Sequence, residues 1–444
     1  MIEFFVLVSP AVLTAIEQGG PWGAISAQIS EPEQLARVAA VSADGDASLL
    51  PVEGLNRSRF MSATDTRRVG RWVKVDADTQ VIWAQTRYRA AGITLQGFRT
   101  LMPVRVPDPG EHIYIVLTYA PDMPPQYVAA GIPRLTGWAV STSGVQPVVV
   151  DLDEPLTIGE QLADRWPIEH LQRQRVCVIG AGSIGSAAAH GLATYGVGTL
   201  DLVDPDRLLR YNLIRHTSSA RQVGKLKVNA LKEDVEGQRP DTHVNAHPLN
   251  VVDDANAIRK LFEQTDLVVC ATDGVASRRV AGHLARRARK DAILACVLED
   301  GALGEIIRLR PWPDRGCITC CRTHLQLAGA FDPEPGINRP YGEGTHHRPM
   351  TAVGADLHLV GAHAAKMAVA TLLQTNGFNE QRLPSEHLII ALRPAPMWPS
   401  PYDVRRCGET KWLDPAPPQP DCPTCHLGPP HRTQAEKEPI SSDR

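Results

Sequence analysis

Residues 175–206 read RVCVIGAGSIGSAAAHGLATYGVGTLDLVDPD. The stretch opens with an apolar β-type run, Val176–Ile179, and turns through Gly180, Gly182 and Gly185. It continues as a helix of small residues, Ser186–Thr194, and re-emerges as a strand over Thr199–Val203 that ends at Asp204. That order is a βαβ unit built to receive a nucleotide. The glycines permit a tight turn, a close approach of backbone to phosphate, and close packing of helix on strand. The helix N-terminus adds N–H donors and a positive dipole end. Asp204 stands where a ribose needs an acceptor. Dehydrogenases, methyltransferases and adenylating enzymes share this pattern, so the residues around it decide the reading.

Downstream, strand and helix patterns alternate. A helix over Val228–Gly237 is followed by a strand near Thr242–Ala246, a helix over Ala255–Gln264, and a buried strand, Leu267–Ala271, that ends at Thr272 and Asp273. Helix Ala276–Lys290 then precedes strands Ala292–Val297 and Leu303–Leu309. The alternation predicts an α/β fold with a Rossmann-like, doubly wound, largely parallel sheet. Asp204 and Asp273 would meet at its carboxyl edge, where such sheets bind ligands. Residues Phe331–Pro349 form a Pro- and Gly-rich loop of a length that is usually functional or mobile. Thr351–Gln374 reads as a buried helix.

Upstream, short β-type runs predict an N-terminal α+β accessory domain over residues 1–150. They are Arg71–Val75, Thr79–Gln85, His112–Tyr119 and Gln146–Val150, with turns such as Asp108-Pro-Gly between them. The opening MIEFFVLVSPAVLTAI lacks a basic start and a cleavage site, and reads as a strand and helix rather than a signal peptide. This domain has no cysteine and one histidine, His112, which excludes thioester chemistry and a multi-histidine metal site. A conjugating-enzyme or JAMM-type metalloprotease domain here would be inactive; a structural or docking role fits.

Residues 151–174 read as a linker entering a helix, 175–400 as the nucleotide-binding domain, and 401–444 as a Pro-rich tail with a disordered end. The 444 residues, 43% hydrophobic and 21% charged, are enough for two buried cores. A net charge of −3 gives no sign of nucleic acid or an anionic membrane as partner. No apolar run approaches the roughly 18 residues of a membrane span. The expectation is a soluble, cytoplasmic protein.

A triphosphate in the glycine cradle needs cations, and the segment after it supplies Arg215, Arg221, Lys225 and Lys227. Of these, Arg221 and Lys225 read as solvated surface charges. Asp273 at a strand end suits Mg²⁺, which takes one or two carboxylates and keeps several waters. Adenylating a carboxylate asks mainly for in-line positioning and neutralisation of developing charge, which Lys, Arg and Asp–Mg²⁺ supply.

At this point the chain resembles the ubiquitin-activating-type adenylating enzymes of the ThiF/MoeB/HesA superfamily, over about Arg175–Thr375 plus the distal cysteine pair. The superfamily's GxGxxG is matched by Gly180, Gly182 and Gly185, and its GVG turn follows Tyr195. Its D-x-D-x-x-x-x-x-N-L-x-R segment is matched by Asp204, Asp206, Asn212, Leu213 and Arg215. Its VGxxKV lysine falls on Lys227 and its TDN aspartate on Asp273, although Gly274 replaces the asparagine; Arg278 also fits. The resemblance implies ATP held by Asp204, Asn212, Arg215 and Lys227, with Mg²⁺ on Asp273. It also implies a carrier-protein carboxylate as substrate and a homodimer with shared sites. The superfamily's N-terminal R-x-x-R-Q helix is not recognisable before Arg175.

The nine cysteines are unevenly placed. Two C-x-x-C pairs, Cys317–Cys320 and Cys422–Cys425, make a four-thiolate set suited to a structural Zn²⁺, an arrangement many superfamily members have; His426 reads as a bystander. Cys177, Cys270 and Cys296 lie in apolar strands and read as core. Members that pass their product to a cysteine usually carry it in the loop that here spans Phe331–Pro349, which has none. Cys407, flanked by Arg405 and Arg406, and Cys321 are the remaining candidates, alongside no catalytic cysteine at all.

These residues point to ATP-dependent adenylation of the C-terminal carboxylate of a ubiquitin-like protein, with release of pyrophosphate. The setting implied by analogy is a bacterial ubiquitin-like conjugation operon, a class that includes antiphage ones, with a conjugating enzyme as a further partner. The alternatives are a sulfur-carrier activator for thiamine or molybdopterin synthesis, an NAD-dependent oxidoreductase, and a silent scaffold.

Overall fold

The computed structural model describes residues 4–30, 32–45, 48–51, 66–153, 157, 159, 162, 165–330, 352–378, 381–394 and 398–426. The chain divides into two compact units, Met1–Pro155 and Leu156–Arg444. The Phe331–Pro349 loop, with His346 and His347, lies outside the described residues.

The first unit contains strands β1 (Phe5–Val8), β2 (Trp22–Ser30), β3 (Leu35–Val41), β4 (Leu50–Pro51), β5 (Thr66–Lys74), β6 (Tyr114–Tyr119), β7 (Leu135–Ser141) and β8 (Gly144–Leu152). Its helices are α1 (Pro10–Gln18), α2 (Ala77–Tyr88), α3 (Leu95–Leu101) and α4 (Pro125–Ala129). The strand order is β1-β8-β7-β6-β5-β2-β3-β4, and a further β1–β3 pairing closes seven of the strands into a ring. One expectation is corrected here. Thr79–Gln85, read as a strand, lies inside α2. Asp76 caps the helix, its carboxylate accepting from the Thr79 N–H at 2.9 Å and the Thr79 hydroxyl at 2.8 Å. The buried residues Thr79, Gln80, Trp83 and Thr86 follow a helical period. Gln80 can be buried because its amide donates to the Thr118 and Arg134 carbonyls, while its oxygen accepts from Thr136.

The second unit contains β9 (Arg175–Ile179), β10 (Thr199–Val203), β11 (His243–His247), β12 (Leu267–Cys270), β13 (Asp291–Leu298), β14 (Leu303–Leu309), β15 (His387–Ala391) and β16 (Thr410–Leu413). Its helices are α5 (Ile168–Gln172), α6 (Ser183–Thr194), α7 (Lys227–Gln238), α8 (Ala255–Glu263), α9 (Val275–Arg287), α10 (Ile318–Leu327) and α11 (Gly354–Thr375). The strand order is β11-β10-β9-β12-β13-β14-β15-β16. The first five are parallel and the last three antiparallel. This is the doubly wound α/β sheet that the spacing predicts.

Alternation along β9 divides the core. Val176 and Val178 face a layer built from α6, α7 and α11, whereas Cys177 and Ile179 face α8, α9 and α10. Helices α6 and α11 meet through small residues, and a Cβ on Gly361 would come within 2.5 Å of the Ile184 carbonyl oxygen. The strands run β9, β10, β11 to one side and β12, β13 to the other, so the chain reverses its winding between β9 and β12. That switch point opens a crevice at the carboxyl edge. Strands β15 and β16 were not legible as strands, and β16 carries the sheet into the segment the sequence sets apart as a tail.

Candidate functional site

The three glycines do three different things. Gly180 has φ +89°, and a Cβ there would lie 2.9 Å from the Ala271 carbonyl oxygen, so the turn after β9 can pass the turn after β12. A Cβ on Gly185 would fall 1.7 Å from the Gly180 carbonyl oxygen, so this glycine lets α6 start against the loop. A Cβ on Gly182 would meet nothing within 4 Å. The protein does not fill the space beside Gly182, which lies directly before the first turn of α6. An anion fits that space, where backbone N–H groups converge.

Two acids and one lysine line the next edge. Asp204 is 8% exposed, and its carboxylate accepts from the Ala181 N–H at 2.8 Å and the Asp206 N–H at 2.9 Å. Lys227, the first residue of α7, places Nζ 2.7 Å from Asp206 Oδ2 and 4.0 Å from Asp204 Oδ1. Burial pushes the Asp204 carboxyl above its ordinary value, against the pull of Lys227 and the two N–H groups. Burial also acts to lower Lys227, but Asp204, Asp206 and Asp273 outweigh it and hold the ammonium above its usual value. The lysine is therefore charged, and it faces the sequence-predicted acids together.

Asp273 follows β12 and is exposed. Its turn is fixed from behind by the buried Arg278, whose Nη1 donates to the Thr272 and Asp273 carbonyls at 3.2 and 3.1 Å. The exposed carboxylate suits a hydrated divalent cation such as Mg²⁺, which takes few protein ligands.

Asn212 and Arg215 sit on one short turn. The Asn212 side chain accepts from the Leu209 N–H at 2.9 Å, which is a turn-holding role. The Arg215 carbonyl accepts from His358 of α11 at 2.8 Å, and its backbone lies against Gly354. Of the further cations, Lys225 pairs with Glu233 at the surface and Arg221 is exposed, as read from the sequence.

One residue was missed. His216 is 6% exposed and bridges this turn to the glycine loop, Nε2 lying 2.7 Å from the Ala181 carbonyl. A lone histidine beside Arg215 gave no signal, because its partner is 35 residues away.

A family match covers residues 157–392, described as the ThiF family. The chain belongs to the ThiF family. Among curated proteins, it is 37% identical over 111 residues to the molybdopterin-synthase adenylyltransferase of Escherichia coli strain K12, covering 25% of this chain and 44% of that one. It is 34% identical over 129 residues to the adenylyltransferase and sulfurtransferase uba4 of Aspergillus niger, covering 29% of this chain and 26% of that one. The aligned part spans less than half the length of either relative. The structure of E. coli MccB with succinimide covers 58% of this chain and 68% of its own at 19% identity with a TM-score of 0.43, a likeness too loose to carry inference.

The ThiF unit also carries the cysteine centre. Cys317, Cys320, Cys422 and Cys425 have sulfur atoms all within 4.8 Å of one another, the one such group of metal-binding side chains among the described residues. Neighbouring sulfurs lie 3.7, 3.5 and 3.6 Å apart, and none forms a disulfide. A tetrahedral Zn²⁺ with bonds of about 2.3 Å requires sulfurs about 3.8 Å apart, so the donor set fits. Backbone N–H groups of Cys317 and Gln419 donate to the Cys425 and Cys320 sulfurs at 3.2 and 3.3 Å. His426 bonds the Gln419 carbonyl instead of joining the set. Zn²⁺ there would pin the segment after β16 to α10.

Cys177, Cys270 and Cys296 are core residues, as expected. Cys321 is buried, and burial pushes its thiol up to about 12, which disfavours the thiolate a nucleophile needs. Cys407 is exposed, with its sulfur 3.5 Å from the Leu392 carbonyl just past β15. That is the carboxyl edge of the ThiF sheet, four strands from β9, or about 19 Å across the strands at roughly 4.8 Å each, and five residues beyond the level of Ile179. Glu409 accepts from the Arg405 and Arg406 N–H groups there. The structure brings Asp204, Asp206, Lys227 and the glycines together, with Arg215 tied to them through its neighbour His216; Cys407 stands apart. Among the described residues no helix is long and apolar enough to cross a membrane.

Proposed function

We propose that this ThiF-family chain is an ATP-dependent adenylyltransferase that activates the C-terminal carboxylate of a small ubiquitin-like protein. The observation that carries the reading is the charged Lys227 held between Asp204 and Asp206 beside the open Gly182 cradle. A triphosphate needs a fixed cation at that place, whereas a nicotinamide dinucleotide does not. Asp204 accepts from the ribose and holds the loop through the Ala181 N–H. Lys227 and Arg215 neutralise the phosphates, and Asp273 would hold Mg²⁺. That ion, when bound, screens the phosphates as charge develops. The carboxylate needs no general base because it is already ionised at neutral pH. It attacks the α-phosphorus, an acyl-adenylate forms, and pyrophosphate leaves.

A sulfur-carrier substrate is the second reading, favoured by the names of the relatives in E. coli and Aspergillus niger. Both readings share the carboxylate chemistry. A homodimer, a cytoplasmic setting, a conjugating-enzyme partner and an antiphage operon belong to the first reading as proposals. So does a thioester on Cys407.

ATP–pyrophosphate exchange tests the core claim. Exchange that needs the carrier's C-terminal residue and disappears in Asp273→Ala supports it. Absence of exchange with every carrier, together with NADH binding, rejects it. A non-reducing adduct with the carrier that is lost in Cys407→Ala and kept in Cys321→Ala supports the thioester; its persistence in Cys407→Ala rejects that step.

A further inference from the structure

Two segments must act together on ATP if the adenylation reading holds: the glycine loop and the Asn212–Arg215 turn. They lie far apart in sequence, and one side chain fastens them. His216 Nε2 is 2.7 Å from the Ala181 carbonyl oxygen, and the Ser218 N–H approaches His216 Nδ1 at 3.1 Å. A carbonyl can only accept and an N–H can only donate, so Nε2 carries the proton and Nδ1 presents its lone pair. The ring is thus neutral and singly protonated.

The Ala181 peptide is held from both sides. Its N–H donates to Asp204 and its carbonyl accepts from His216. The His216 N–H in turn donates to the Asn212 carbonyl at 2.8 Å, which closes the turn bearing Arg215. A shift of His216 would therefore move the phosphate loop relative to Arg215.

We infer that His216 is a positioning residue that fastens the Arg215 turn to the phosphate-binding loop in its neutral form and makes nucleotide affinity fall on acidification. Protonation of Nδ1 sets one N–H against another, that of Ser218, and breaks the second anchor. The groups around the ring are Lys227 and Asp234 from α7 and His190 from α6, with His358 of α11 bonded to the adjoining Arg215 carbonyl. Burial, with Lys227 and His190, disfavours the imidazolium against the smaller pull of the Ala181 carbonyl and Asp234, so the ring stays neutral at pH 7.

The inference rests on the adenylation reading for its ligand, and two measurements on the full chain keep the two separable. The first is calorimetric titration of ATP with Mg²⁺ between pH 5.5 and 8, and the second is amide hydrogen exchange of residues 180–184 without nucleotide. His216→Asn keeps an acceptor for Ser218 but cannot reach Ala181, so it should bind ATP about tenfold more weakly at pH 7.5 and exchange faster in the loop. His216→Gln restores a donor to Ala181 without a titrating ring. It should bind within about twofold of wild type and lose the acid-side fall expected of wild type, which burial of the ring places below the ordinary histidine range. Wild-type affinity and exchange in folded His216→Asn would overturn the inference, as would an unchanged acid fall in His216→Gln. If wild type itself binds no ATP, the adenylation reading fails, and the exchange comparison still decides whether His216 holds the loop.

Discussion

Lys227 Nζ lies 2.7 Å from the Asp206 carboxylate, and the same ammonium is the nearest counter-charge to the buried Asp204. Removing it leaves Asp204 buried with its two N–H donors but no counter-charge. Lys227→Met should lower stability by about 1–3 kcal/mol and abolish measurable ATP–pyrophosphate exchange. Lys227→Arg should recover most of the stability. Urea unfolding alongside the exchange assay checks both. A Lys227→Met protein of wild-type stability would contradict the charge balance described.

Two neighbouring glycines should respond oppositely. Gly185→Ala forces a methyl 1.7 Å from the Gly180 carbonyl oxygen and should cost several kcal/mol or prevent folding. Gly182→Ala meets open space, so its melting temperature should stay within about 2 °C of wild type while ATP affinity falls at least tenfold. Thermal melts with ATP titration distinguish the pair, and equal destabilisation of the two would refute the assignment.

The cysteine centre predicts one zinc per chain by elemental analysis. Cys422→Ser should lose it and open the 398–426 segment to proteolysis, with a fall of several degrees in melting temperature. Zinc retained at full stoichiometry in that variant would exclude the four-thiolate site.

Acid stability should depend on Asp201. It is fully buried on β10, gripped by Arg175 at 2.5 and 2.9 Å, and also bonded by Asn245 and His247. Burial raises its pKa, but His247, Arg175 and Asn245 outweigh that and lower the carboxyl to about 2. The folded value lies below the unfolded one, so its contribution is complete above about pH 4 and is lost as pH falls toward 2. Linkage puts that contribution at about 2 kcal/mol. Asp201→Asn should be less stable than wild type by at least that much at pH 7, and the gap should narrow toward pH 2. A gap independent of pH would contradict the mechanism.

The nucleotide half of the fold was readable because its signals are local. Glycine spacing, alternation and strand-terminal acids all lie within a few residues of the feature they produce. Strand Leu303–Leu309 matches residue for residue. Helix α2 was misread because Thr79 and Val81 favour strands, and the overriding signals, the Asp76 cap and the pairing of Gln80 with Thr118 and Thr136, are partly tertiary. Strands β15 and β16 are five and four residues at the edge-side end of the sheet, within a Pro-rich sequence, too short to show a period. His216 was invisible for a related reason: its role exists only once residue 181 is beside it.

The position of Cys407 sets a ruler for any acyl transfer within this chain. A carrier tail adenylated at the glycine loop would have to shift its terminus by at least about 19 Å to reach that sulfur without the carrier body moving. A tail pivoting on a fixed body sweeps up to twice its extended length, so at 3.3–3.6 Å per residue that takes at least about three flexible residues. Carriers with shorter tails would be activated and then released to attack by a nucleophile elsewhere, so trimming a carrier's tail from its body-proximal side would separate adenylation from self-loading.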